Sequence, residues 1–218
     1  GIYLWLIVAT IVLGILTNII YYKVLKSEHL GEMQTLGLLN RIPLIVFAGF
    51  FFVDERNYLT MAFAIVAALA IVWSHWEKHH FHIAKKTWPF LIWTLTIAPF
   101  GGIIAKKLLE IWNPISLHLI TSGAEALFFI FLFHSSIKTT PRKAIAPLLI
   151  TNLLTTIAWI LYFFSFKVSG IVFTVLVFSL QPLLVYFSSI FFLKEKIHWK
   201  KLVAFLIILA SIAASQVL

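Results

Sequence analysis

The stretch Gly170–Leu193 runs for 24 residues without one Asp, Glu, Lys or Arg. An α-helix rises about 1.5 Å per residue, so about 20 apolar residues cross a hydrocarbon core roughly 30 Å thick. Similar runs recur along the whole sequence, separated by short charged interruptions. Of 218 residues, 61% are hydrophobic and 11% charged, and the mean hydropathy is +1.01. Too few polar side chains exist to coat a water-facing surface, so no sizeable soluble domain is expected. The runs predict membrane-spanning helices at about 2–22, 31–53, 58–75, 88–105, 115–134, 144–166, 170–193 and 200–218. The expected fold class is an all-α, multi-pass membrane protein with about eight transmembrane helices.

A net charge of +9 raises the question of nucleic acid. That partner needs its cations on one solvated face that tracks phosphates. Here they lie between apolar runs, where they fix topology or meet anionic lipid, so membrane lipids are the expected partner and nucleic acid is not. Cytoplasmic loops carry the excess of Lys and Arg. Segments 23–30, 76–87, 134–143 and 194–201 hold 12 of them, against 4 in 54–57, 106–113 and 167–169; Arg41 lies inside a span. With eight spans this bias puts both termini outside. The chain has no cysteine, which excludes disulfides and thiol chemistry. Residue 1 is Gly and the first span begins at once, which leads us to expect further sequence upstream.

Proline marks the interruptions. Asn113–Pro114 and Thr140–Pro141 read as helix starts, while Pro43, Pro99, Pro147 and Pro182 fall inside spans and are expected to kink them. Ala98-Pro99-Phe100-Gly101-Gly102 is the strongest candidate for a broken helix.

Shifting the chain by about 140 residues lays Tyr22 on Tyr162, Arg41 on Gln181 and Glu55 on Glu195. Pro43 and Pro182 stand 12 and 13 residues before their glutamates. Each unit shows the same order of a polar-aromatic span, a proline-bearing span ending in Glu plus a cation, and an Ala-rich span. Internal duplication of this kind underlies many transporter folds and places the binding site at the repeat interface.

The ending Phe191-Phe192-Leu193-Lys194-Glu195-Lys196, a short basic turn and then Leu202–Gln216 resembles the C-terminal end of EamA-type permeases of the drug/metabolite transporter superfamily. Phe51-Phe52-Val53-Asp54-Glu55-Arg56 is similar to the same element in the other half. The resemblance implies ten helices in two five-helix inverted repeats. On that pattern, residues 1–75 supply three helices of an incomplete first repeat, 76–87 form a basic His-rich loop, and 88–218 form a five-helix second repeat. It also implies a cytoplasmic C-terminus, which disagrees with the loop charges.

Two charges fall at mid-span, where insertion costs at least roughly 2.5–3.5 kcal/mol and function is the default hypothesis. Glu125 is the eleventh residue of its twenty-residue span and Arg41 the eleventh of its twenty-three. Glu125 shares a helical face with Ser122, Thr121 and His118, three, four and seven residues away. A carboxylate with a nearby imidazole suits a proton pathway. A permanent Arg41–Glu125 pair that only joins helices fits the same residues. Gln181, Asn18 and Asn152 are further polar positions expected to face inward, with Tyr21, Tyr22, Trp159 and Tyr162 as aromatic neighbours of a substrate. Glu55 and Glu195, at span ends beside cations, are expected to be solvated or to cap helices. Ala64, Ala67 and Ala68, and likewise Ala210, Ala213 and Ala214, allow close helix approach within the chain or in a homodimer.

The cluster His75-Trp76-Glu77-Lys78-His79-His80, with His82, has the spacing of a membrane oxygenase box. Two metal spheres need several such boxes, and His29, His118, His134 and His198 are isolated in sequence. No P-loop or nucleophile motif is present, so ATP-driven transport and hydrolysis are not expected. The sequence therefore reads as a non-enzymatic, cofactor-free secondary transporter of a small organic solute, an exporter in a bacterial or archaeal inner membrane, with a non-transporting scaffold as the main alternative.

Overall fold

The computed structural model describes residues 1–25, 38–75, 87–137, 141–193 and 198–217. Its helices are α1 (Ile2–Leu25), α2 (Arg41–Phe51), α3 (Tyr58–His75), α4 (Trp88–Thr96), α5 (Ala98–Leu109), α6 (Pro114–Ile137), α7 (Arg142–Phe178), α8 (Gln181–Leu193) and α9 (Trp199–Val217). A short 3-10 turn covers Val53–Glu55, and no strand occurs among the described residues. Among the described residues, five segments are long and apolar enough to cross a membrane: Ile2–Val24, Trp88–Leu109, Pro114–Phe133, Lys143–Phe178 and Trp199–Val217. The protein is an all-α membrane protein, as the apolar runs require.

The interruptions follow the chemistry of proline. Pro99 is the second residue of α5, and the break expected around it falls one residue ahead of that helix, at Ile97; Gly101 and Gly102 stay helical. Pro43 sits in the first turn of α2 and Pro182 in the first turn of α8, where a missing N–H costs least. The chain turns at Asn40 and at Ser179–Leu180 just before them. The expected 170–193 span is therefore two helical pieces. Pro147 lies within unbroken helix. Asn113 accepts the Ile115 N–H at 2.8 Å and so caps α6 at the expected place. Thr140 lies outside the described residues.

In α7 the helical backbone is interrupted at Gly170, with φ 82° and ψ 173°, a region essentially reserved for glycine. It divides α7 into limbs 142–169 and 171–178.

The chain divides into two compact units, Gly1–Ile19 with Ile104–Val168, and Ile20–Ile103 with Ser169–Leu218. In the second unit α3 and α9 make the most extensive helix pair. Ala64, Ala67, Ala68 and Ile71 are fully buried at helical spacing on α3, as are Ala204 and Ile208 on α9. The alanine face expected on α3 is thus a packing face. On α9 that role falls to Ala204, Ile208 and Ser211, while Ala210 and Ala213 are exposed. Val24, Phe90 and Leu91 form a smaller buried cluster.

Glu55, against expectation, is not solvated: it is 6% exposed. Its carboxylate accepts the backbone N–H groups of Ile171 and Val172, where limb 171–178 begins. It does cap a helix, one that begins 116 residues away in sequence rather than next to it. Glu195 lies outside the described residues.

Candidate functional site

The site in the first unit is built on α6. Glu125 sits midway along this helix and is half-buried. The Asn18 side-chain amide of α1 donates to Glu125 Oε2 at 3.2 Å. One turn earlier on α1, Gly14 lies directly against the same carboxylate, and a Cβ there would collide with it. Gly14 and Asn18 are four residues apart and so share a face of α1. The amide supplies the donor and the glycine supplies the room. Sequence reasoning found Asn18 and Glu125 but missed Gly14, whose role appears only once the Glu125 carboxylate is seen across from it.

His118 is 7% exposed and lies on the same face of α6, two turns before Glu125. Its ring nitrogen Nδ1 is 3.2 Å from Ser122 Oγ, and its ring stands edge-on to Phe163 of α7 at 6.0 Å between centroids. Thr121 turns back onto the Leu117 carbonyl at 2.9 Å, so it serves its own helix. At 1.5 Å rise per residue, His118 and Glu125 are about 10 Å apart along the axis, beyond direct contact. Ser122, one turn from each, is the polar group between them. Tyr162 is half-buried on α7, packed on Phe166 at 4.5 Å and edge-on to Trp159 at 5.5 Å.

Arg41, Gln181 and Tyr22 belong to the second unit. Arg41 is the first residue of α2 and Gln181 the first of α8, so the two repeat-related positions each open a helix after a turn. Arg41 Nη1 donates to Ser179 Oγ at 3.2 Å. Ser179 is fully buried and bonds back to the Val175 carbonyl at 2.8 Å, whereas Gln181 is exposed. Sequence reasoning missed Ser179. It stands three residues before Pro182, as Asn40 stands three before Pro43. Tyr22 is 56% exposed and edge-on to Tyr21, which in turn meets Phe90 at 6.0 Å. Asn152 is exposed, its amide donating to the Leu148 carbonyl at 2.8 Å.

No group of three or more metal-ligating side chains occurs among the described residues. The oxygenase-like cluster falls largely outside them, since His79, His80 and His82 are not described.

The first unit thus offers one half-buried carboxylate with an amide donor and a histidine–serine pair on the same helical face. That arrangement presents groups that can hold a proton or a small cation. No curated protein and no solved structure matches the chain. Residues 86–215, more than half of its length, match the EamA-like transporter family. A multi-pass helical membrane protein with that match over its C-terminal portion belongs to the EamA-like transporter family, the membrane transporters of the drug/metabolite superfamily.

Proposed function

We propose that this protein is a secondary transporter that moves a small organic metabolite or drug outward by alternating access, with Glu125 carrying the coupling proton. The observation that supports this reading is the setting of Glu125: midway along α6, half-buried, bonded to Asn18 and pressed against Gly14. His118 and Ser122 extend the polar path along the same helix. Arg41 and Gln181, at the openings of two proline-interrupted helices, line the solute path in this reading, because paired helix breaks in the two halves are where transporters of repeat construction bind their cargo. Tyr22 and Tyr162 add aromatic surface to it. In this reading the protein works in the inner membrane of a bacterial or archaeal cell, and its sequence repeats, 1–75 and 88–218, derive from a duplicated five-helix element.

The test is transport by Glu125→Gln and Glu125→Asp in proteoliposomes, with insertion checked for each. Glu125→Gln is expected to lose gradient-driven uptake while retaining exchange of solute for solute; Glu125→Asp is expected to keep pH-dependent transport at a reduced rate. Full pH-dependent transport by Glu125→Gln would remove the proton from this carboxylate.

A further inference from the structure

Limb 171–178 of α7 is eight residues long, about 12 Å, too short to be stable as a helix without tertiary contacts. Its Ile171, Val172, Thr174, Val175 and Leu176 are all at most 2% exposed. Both of its ends are held from the two ends of α2, by its first residue, Arg41, and by Glu55 just beyond its last turn. At the N-terminal end, Glu55 accepts the Ile171 and Val172 N–H groups, the latter at 3.0 Å. Just past the C-terminal end, Arg41 Nη1 donates to Ser179 Oγ at 3.2 Å. Arg56, next to Glu55, completes the fastening by donating to the Gly49 and Phe50 carbonyls at 3.0 and 3.1 Å, the C-terminal turn of α2.

The Glu-plus-cation signature therefore has a division of labour set by helix electrostatics. A helix carries about +0.5 charge at its N-terminus and about −0.5 at its C-terminus. Glu55 meets the positive end of one helix and Arg56 the negative end of another. Hydrogen bonds to a carboxylate are roughly twice as strong as neutral ones, and here they are sheltered from water. Gly170 is the complement. A Cβ at this position would stand 2.9 Å from the Glu55 carboxyl carbon, and the positive φ disfavours any other residue.

We infer that Glu55 is a positioning residue that clamps limb 171–178 to α2, so that the two travel as one rigid body during transport, with Gly170 as the hinge against limb 142–169. This rests on the transporter reading. It adds that the moving bodies do not coincide with the two sequence repeats, because residues of 1–75 grip a segment of 88–218. A rocking motion of one whole repeat against the other would have to break a buried carboxylate from two backbone donors in every cycle.

The absence of native cysteine allows paired spin labels. Val46→Cys with Val177→Cys reports on the clamped body, and Val46→Cys with Val168→Cys reports across Gly170. Both distances are read in proteoliposomes with and without an imposed pH gradient, alongside a flux assay on the same vesicles. The first distance is expected to stay narrow and unchanged while the second shifts by several ångström. In Glu55→Ala the first distribution is expected to broaden. In Glu55→Gln, whose carbonyl still accepts, it should narrow again, which a residue that merely supports folding would not produce. A gradient-dependent shift of the Val46–Val177 distance overturns the clamp, as does a narrow distribution in Glu55→Ala. An unchanged Val46–Val168 distance overturns the hinge even where the vesicles transport solute, in which case the transporter reading stands without it. Vesicles that show no flux count against that reading, whatever the distances do.

Discussion

At the scale of single residues, the contact between Asn18 and Glu125 sets the chemistry. A polar group inside a membrane protein is tolerated when another polar group answers it, and Asn18 answers Glu125 across 3.2 Å. Asn18→Leu removes the donor and leaves the carboxylate in apolar surroundings. The expected cost is about 1–3 kcal/mol, read as a lower unfolding temperature in detergent, with Glu125→Gln in the same background recovering part of it. Gly14→Val forces the carboxylate aside, so it is expected to impair gradient-driven transport with little loss of folded protein. Unimpaired transport by Gly14→Val would show that the carboxylate does not work from where it lies. Glu125, His118 and Asn18 were legible in the sequence because a charge or an amide in an apolar run stands out. Gly14 and Ser179 were not, because what a glycine or serine does depends on which neighbour lies across from it, and periodicity along one helix carries no such information.

At the scale of elements, proline and glycine act differently. Proline interrupts locally, and the turns ahead of α2, α5 and α8 were legible for that reason. Gly170 was visible as the start of an uncharged run, yet its backbone conformation and its contact with Glu55 are tertiary facts. Gly170→Ala combines an unfavourable φ with a collision against the carboxylate. It is expected to cost about 1–3 kcal/mol for the backbone alone, measured by thermal unfolding; a neutral result would mean that the hinge conformation is not required. The α3–α9 pair makes a similar claim about volume. Ala67 is fully buried, so Ala67→Leu overpacks the core around α3 and is expected to cost about 1–3 kcal/mol, whereas the same change at exposed Ala213 should be close to neutral. The span expected at 31–53 is described as helix α2 from Arg41, preceded by helical residues 38–39 and a turn at Asn40. Its buried Leu44, Ile45, Ala48 and Gly49 show why this short element is held.

At the scale of the whole molecule, composition alone was enough for the class. A chain with 61% hydrophobic residues has nowhere but the bilayer to place them, and the family match agrees with the helix-end signature from which the resemblance was read. The signature was legible as a pattern; its work, fastening two helices through Glu55 and Arg56, was not, because Glu55 and its partner Ile171 lie 116 residues apart. Substrate identity has no comparable trace in the sequence, since a mixed polar and aromatic path accepts many small solutes. The most direct measurement is therefore solute flux itself: the protein in sealed proteoliposomes, a broad panel of small organic solutes, and an imposed pH gradient that a protonophore can collapse. At least one solute should move at a rate set by the gradient and stop when the protonophore is added. No gradient-dependent flux across the whole panel, by protein shown to be inserted and folded, would contradict the account and leave a membrane scaffold in its place.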